Sequence, residues 1–352
     1  MSIKNRMNRG KDKNIVNKPV YANLLKTYRP FAYQYLHPLY MFFFSPNESD
    51  IKSINSKMCS LTKEYFRGTG LESVGSRKLA VLLGGSSAFG WFASCDDKTI
   101  TGFLNVIQDE YFFINAGVPS WNSWQELVRL INQILPLHPA LVIIYDGAND
   151  INVSKDYFTK NLILPNGTPE NFDKLLSITS TIKGNNKSKQ SSITRKLFPN
   201  IISFFETKRY RITNENKIEN TIYTAAQSYI YNHKTMYLLC QFYGIRFISI
   251  FQPILWLHKN ITYNKKLYNR EALWFVKFHN AVCSTKTEYE RLDFSSFFES
   301  MSDQIPPVPF LSETDVGDKT IFVDEVHLYD EGNRLIANAI VNYLQKSVQN
   351  KK

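Results

Sequence analysis

Two short stretches, far apart in the chain, carry residues whose types and spacing could do chemistry. The first is Leu82-Leu83-Gly84-Gly85-Ser86-Ser87-Ala88-Phe89-Gly90, an apolar run that ends at two glycines and two serines. The second is Asp324-Glu325-Val326-His327. Three residues separate the acid from the histidine, so one turn can bring carboxylate and imidazole together. A serine hydroxyl, an imidazole base and an orienting carboxylate are the parts of an activated nucleophile. Attack on an acyl carbon then creates an oxyanion, and donors must meet it. Gly117, in Asn115-Ala116-Gly117, offers a backbone N–H. Asn149, in Asp146-Gly147-Ala148-Asn149-Asp150, offers a side-chain amide. With the N–H of Ser86 they make three donors, each of which typically contributes about 3–4 kcal/mol to transition-state stabilisation. This set calls for no metal and no organic cofactor.

Each piece alone has a plainer reading. Gly84 to Ser87 could be a tight turn with a helix cap. The stretches ending at Gly117 and Asp150 are rich in turn formers. With six histidines in the chain, an Asp-x-x-His can arise by chance. The other five, His37, His138, His233, His258 and His279, lack an equally placed acid and read as surface or packing residues. Trp121 and Trp124 fall on one helical face, where they could stack on a sugar ring; burial in the core is the stronger reading.

The elements that must position these residues follow from hydrophobic patterning. Short apolar runs at Lys78–Leu83, Tyr111–Asn115, Leu141–Tyr145 and Ile245–Phe251 read as buried strands, with a short fifth at Glu290–Phe294. Helical patterns lie at Ser120–Leu135, Ile218–Tyr243, Ala272–Cys283 and Asp330–Gln345, the second stopping at Gly244. Ser120 or Asn122 would cap the first. Residues 50–67 read as an amphipathic helix, and Tyr28–Phe44, dense in aromatics and broken by Pro30 and Pro38, as an extended strap. Alternating strands and helices predict a three-layer α/β/α domain with a five-stranded, mostly parallel sheet of flavodoxin-like type. Its site lies beyond the carboxyl ends of the strands. Gly84, Gly117, Gly147 and Gln252 all fall there. The domain covers 78–347, preceded by an N-terminal extension (1–77) and interrupted by an insertion at about 155–217 after the third strand.

Composition bounds the rest. The chain has 352 residues, 43% hydrophobic and 21% charged, as in ordinary globular proteins. Net charge is +11 but uneven: residues 1–30 carry eight Lys/Arg against Asp12, and residues 183–211 eight against Glu206. The remainder is slightly acidic. Residues 1–20 and 183–196 therefore read as disordered solubilising segments that could touch an anionic membrane or polymer. They lack the interleaved aromatics of a nucleic-acid binder, and no nucleic-acid partner is expected. Cys59, Cys95, Cys240 and Cys283 form no C-x-x-C pair and read as buried free thiols, neither disulfides nor a zinc site. No apolar run approaches the ~20 residues of a membrane span, and no signal-peptide pattern is seen, so a cytoplasmic location is expected.

Four blocks taken in order make a resemblance specific. Gly84-Gly85-Ser86, Asn115-Ala116-Gly117, Gly147-Ala148-Asn149-Asp150 and Asp324-Glu325-Val326-His327 resemble the four blocks of the SGNH hydrolase, or GDSL esterase/lipase, family. The likeness covers roughly Lys78 to Ala339, the insertion excepted. It implies Ser86 as nucleophile, His327 as base, Asp324 as its partner, and Ser86, Gly117 and Asn149 as the oxyanion hole. Ser87 is a rival nucleophile, but register against Gly90 favours Ser86. Gly85 stands where the family usually has an acid, at a non-catalytic position. Ser120 stands where a second glycine is frequent, which bears on the shape of the pocket. The family includes short-chain esterases, carbohydrate O-acetylesterases, thioesterases and lipases. The expectation is a serine esterase acting through an acyl-enzyme, with a lean toward O-acetyl groups on carbohydrate. Acyl transfer by the same residues, or a purely binding role for the basic segments, are the rival readings.

Overall fold

A computed structural model describes residues 35–37, 39–44, 59–156, 215–258, 265–304 and 321–349. Its centre is a five-stranded sheet built from β3 (Lys78–Gly84), β4 (Tyr111–Gly117), β5 (Leu141–Asp146), β6 (Arg246–Phe251) and β7 (Glu290–Asp293). All pairs are parallel, in the order β4-β3-β5-β6-β7. That is the doubly wound order of flavodoxin-like sheets, with its switch point at β3. The expected α/β/α class and all five expected strands are present.

Burial explains why these runs became strands. Successive strand residues face opposite sides. Ala80 and Leu82 pack with Ile143, with Ile100 and Leu104 of α2 (Ile100–Ile107), and with Ile336 and Ile340 of α7 (Asp330–Gln349). Val81 and Leu83 pack the other way, with Val142, Ile144, Leu130, and Met236 and Cys240 of α5 (Glu215–Phe242). Each buried Val, Leu, Ile or Met among them contributes roughly 1.5–3 kcal/mol. The sheet is covered on both faces, which is why its strands read as unbroken apolar runs rather than alternating ones.

Several local expectations change. Of the amphipathic helix expected over 50–67, residues 50–58 lie outside the described residues, and 59–67 form turns instead, with Leu61 and Arg67 in an isolated bridge and Arg67 bridged in turn to Asn115. Of the aromatic residues on that stretch, Tyr65 packs on Phe43 and Phe44 of the strap and Phe66 enters the core beside Val81 and Leu83. The strap itself is a hairpin, β1 (Tyr35–His37) with β2 (Met41–Phe43). Its Tyr40 and Phe43 rings lie 4.9 and 5.4 Å from Trp121, and Gln125 Nε2 donates to Tyr40 O. Trp121 is therefore fully buried, and sugar stacking on it is ruled out. The helix expected from Ser120 starts as α3 (Ser123–Arg129), capped by an Asn122–Gln125 capping box. It continues as a π turn, Leu130–Ile134, and a 3-10 turn, Leu135–Leu137. Cys95 and Cys283 are half-exposed; only Cys59 and Cys240 are buried thiols. No helix among the described residues is long and apolar enough to cross a membrane. Most of the expected insertion and the basic segments 1–20 and 183–196 lie outside the described residues.

Candidate active site

Ser86 begins α1 (Ser86–Phe89), a single helical turn directly after β3. As the first helical residue its N–H has no intrahelical partner. A helix this short has little macrodipole, so the aid to an anion there is the N–H itself. The turn is held from behind. Arg67 donates to the carbonyls of Phe89 and Gly90 at 3.0 and 2.6 Å, and its Nε pairs with Asp96 at 2.8 Å. Asn115 Nδ2 donates to Ala88 O at 3.0 Å, tying the turn to the end of β4.

Ser86 Oγ lies 2.7 Å from His327 Nε2, and His327 Nδ1 lies 2.7 Å from Asp324 Oδ2. The second oxygen of Asp324 accepts the backbone N–H groups of Val326 and His327 at 3.0 and 2.8 Å. Burial alone would push the Asp324 carboxyl up. The neighbouring imidazole and these hydrogen bonds outweigh it, and the group is held below its ordinary value. An ionised carboxylate only accepts, so Nδ1 of neutral His327 carries the hydrogen. Nε2 then presents its lone pair to the Ser86 hydroxyl.

Ser87 points elsewhere. Its Oγ donates to Val326 O at 2.9 Å and receives Gln252 Nε2 at 2.9 Å. Ser87 and Gln252 thus clamp the loop that carries His327. On the opposite side Phe92 stands edge-on to the His327 ring, with centroids 5.5 Å apart. Phe92 has φ +76, a left-handed conformation costly for a bulky residue. Nothing in the sequence marked Phe92; Gln252 was marked only by its place at a strand end.

Asn149 lies in the first turn of α4 (Ala148–Asp156), beyond β5, across the switch point from Ser86. One hydrogen of its Nδ2 goes to Trp121 O at 2.7 Å. Gly85 makes this approach feasible: a Cβ there would sit 2.5 Å from Asn149 Nδ2. Glycine at position 85 therefore has a packing reason. Ser86, Asn149, Asp324 and His327 are all half-buried, as are Glu325 and Val326 beside them.

Gly117 departs from expectation. It is buried, and its N–H donates to Asn115 Oδ1 at 3.0 Å, inside its own turn. Its lack of a side chain serves packing, since a Cβ would meet Phe89 N at 2.3 Å. Ser120, a few residues on, has φ +68. The glycine-like backbone of that turn is thus kept with a serine in place.

Behind Asn149 lies a buried acidic group. Asp150 accepts the N–H and hydroxyl of Ser123, the latter at 2.6 Å, and Asn232 donates to that hydroxyl at 2.9 Å. Burial, then the nearby Asp146, raises the Asp150 carboxyl to about 8. The same two causes push Glu126 well up. Asp150 thereby fastens the Asn149 turn to the start of α3.

No family model matches the chain, and no curated protein does. Solved structures do resemble it. A GDSL-like lipase from Bacteroides thetaiotaomicron shares 14% identity, over 79% of this chain and 93% of that one, with a TM-score of 0.41. An acetyl xylan esterase shares 12%, over 75% and 98%, with a TM-score of 0.40. A catalytic mutant of an acetylxylan esterase from Geobacillus stearothermophilus shares 11%, over 76% and 94%, with a TM-score of 0.42. None of these likenesses says what this chain acts on.

Proposed function

We propose that the protein is a serine esterase that cleaves a carboxylic ester through an acyl-enzyme on Ser86. One observation carries this reading: the unbroken line Ser86 Oγ, His327 Nε2, His327 Nδ1, Asp324 Oδ2, each link 2.7 Å and open to solvent. His327 takes the Ser86 proton as Oγ attacks the carbonyl carbon. Asp324 stabilises the imidazolium that forms. The oxyanion is met by the Ser86 N–H and the second hydrogen of Asn149 Nδ2. Collapse of the intermediate expels the alcohol, protonated by His327. Water, deprotonated by the same ring, then frees the acid. Gly117 shapes the turn in this reading instead of donating, because its N–H is already engaged.

The test combines labelling with turnover. A fluorophosphonate probe should modify Ser86, located by peptide mass spectrometry, and abolish hydrolysis of p-nitrophenyl acetate. A series of longer-chain esters then sets the acyl size. A folded protein that neither reacts with the probe nor cleaves any ester in the series overturns the reading.

A further inference from the structure

A second cluster of reactive side chains sits at the far edge of the sheet. His279 and Cys283 lie one turn apart on α6 (Lys265–Ser284), and so share a face. Asp293 ends β7, and Ser295 follows it. Three groups crowd one ring nitrogen. His279 Nε2 has Asp293 Oδ2 at 2.8 Å, Ser295 Oγ at 3.0 Å and Cys283 Sγ at 3.3 Å. A ring nitrogen carries at most one hydrogen, so one N–H cannot serve all three. Asp293 Oδ2 and Cys283 Sγ are themselves 3.5 Å apart.

We propose that His279, Cys283 and Asp293 form a binding site for a Zn²⁺-like divalent cation. Their donor atoms describe a triangle with edges of 2.8, 3.3 and 3.5 Å. Ligands about 2.0–2.3 Å from a tetrahedral zinc are roughly 3.3–3.5 Å from one another. Two edges already match, and the third widens when a metal replaces the shared proton. The donor set of thiolate, imidazole and carboxylate suits a borderline-soft ion better than Mg²⁺ or Ca²⁺. The carboxylate is aimed from behind by Ser295, whose N–H donates to Asp293 Oδ1 at 2.9 Å. Such outer contacts orient metal ligands. Phe251, with its ring 5.1 Å from that of His279, walls the inner side. Asp293 is exposed, which leaves the outer side for a water as fourth ligand. Binding releases the Cys283 thiol proton and any proton on Nε2 to solvent, leaving thiolate and carboxylate to neutralise the dication. The ion would pin α6 to the edge strand β7, away from Ser86.

The full chain, stripped with chelator, is titrated with Co²⁺ and then with Zn²⁺. One Co²⁺ per chain should bind, with a thiolate-to-cobalt charge-transfer band and the intense visible bands of four-coordination. Zn²⁺ should displace it and raise the melting temperature. Cys283→Ser should lose the charge-transfer band, and Asp293→Asn should bind at least tenfold more weakly. Far-ultraviolet circular dichroism checks that both near-isosteric variants are folded. A wild-type protein without the thiolate band overturns the site. So does a band that survives in Cys283→Ser, which would trace to another cysteine.

Discussion

Among the described residues, two histidines join a serine on one ring nitrogen to an aspartate on the other, and only one of these lines is placed to act. At the first, His327 joins Ser86 and Asp324 at 2.7 Å on either side. At the second, His233 joins Ser249 Oγ at 2.8 Å and Asp146 Oδ2 at 3.1 Å, and Tyr229 adds a hydrogen bond to Asp146. The residue types and the linear bonding pattern are the same. Access is not: the His327 and Asp324 side chains are 15% and 16% exposed, those of His233 and Asp146 0% and 3%. Ser249 lies inside β6, where its hydroxyl faces packed side chains and no substrate carbonyl can approach. Ser86 lies past a strand end, at the switch point, with an orphan N–H beside it. The inner set joins α5 to the sheet. A triad's composition therefore says little without a path to it and donors for the charge it generates.

The sharpest test of this contrast is a pair of serine-to-alanine changes. Ser86→Ala should lower kcat by about 10⁴- to 10⁶-fold, since removing a nucleophile disables the whole unit. Ser249→Ala should leave ester turnover within about twofold while costing about 1–3 kcal/mol of stability, because His233 loses a buried partner. Urea denaturation and initial rates measure both. Equal loss of activity in the two variants would collapse the distinction.

Next in size is the carboxylate. Asp324→Asn should reduce kcat by up to about 10⁴-fold while leaving KM nearly unchanged, because the amide stabilises the wrong His327 tautomer. A full pH–rate profile of the purified variant reads this out. A normal rate would mean that His327 needs no orienting acid.

Asn149→Ala should cost about 10²- to 10³-fold in kcat with little change in KM, as expected of a donor to a charge that exists only along the reaction path. A defect confined to KM would instead make Asn149 a substrate anchor, and the contrast with the inner triad would then rest on access alone.

The smallest effect concerns the acidic group that fastens the Asn149 turn. Asp150 is raised to about 8 by burial and by Asp146, and Glu126 is raised too. Between the ordinary carboxyl range and about pH 8 the folded state holds a proton on Asp150 that the unfolded chain has lost, and Glu126 acts in the same sense. Stability therefore falls as pH rises, by up to about 1.4 kcal/mol per pH unit for one group. His258, lowered by burial, acts in the opposite sense below its usual 6.5. His279, which burial lowers but Asp293 raises on balance to about 9, adds a slope of the same sign above 6.5, so the Asp150 share across pH 6.5 to 8 is read as the difference between wild type and Asp150→Asn. Melting temperatures should drop across that range for the wild type and drop less for Asp150→Asn. An unchanged slope in that variant would place the titration elsewhere.

Much of this was legible in the residues themselves. Apolar runs buried on both faces mark the five strands, and the glycine-rich ends mark where the chain leaves the sheet. Asp324 and His327 meet because three residues of backbone bring them together, so their pairing was readable locally. Their approach to Ser86 was not, and register against Gly90 favoured Ser86 over Ser87 without giving a physical reason. That choice depends on Gln252 and Val326, which hold the Ser87 hydroxyl from two distant segments. His233 and His279 were read as lacking acids because no Asp or Glu stands near them in sequence. Asp146 and Asp293 reach them only after strands and helices pack. Gly117 suited a donor by its position, yet the side chain two residues before it takes its N–H. Periodicity and local spacing report what one element does with its own neighbours. Which side chains share a point in space, and which of them solvent can reach, is settled only when the layers close over the sheet and leave the switch point open.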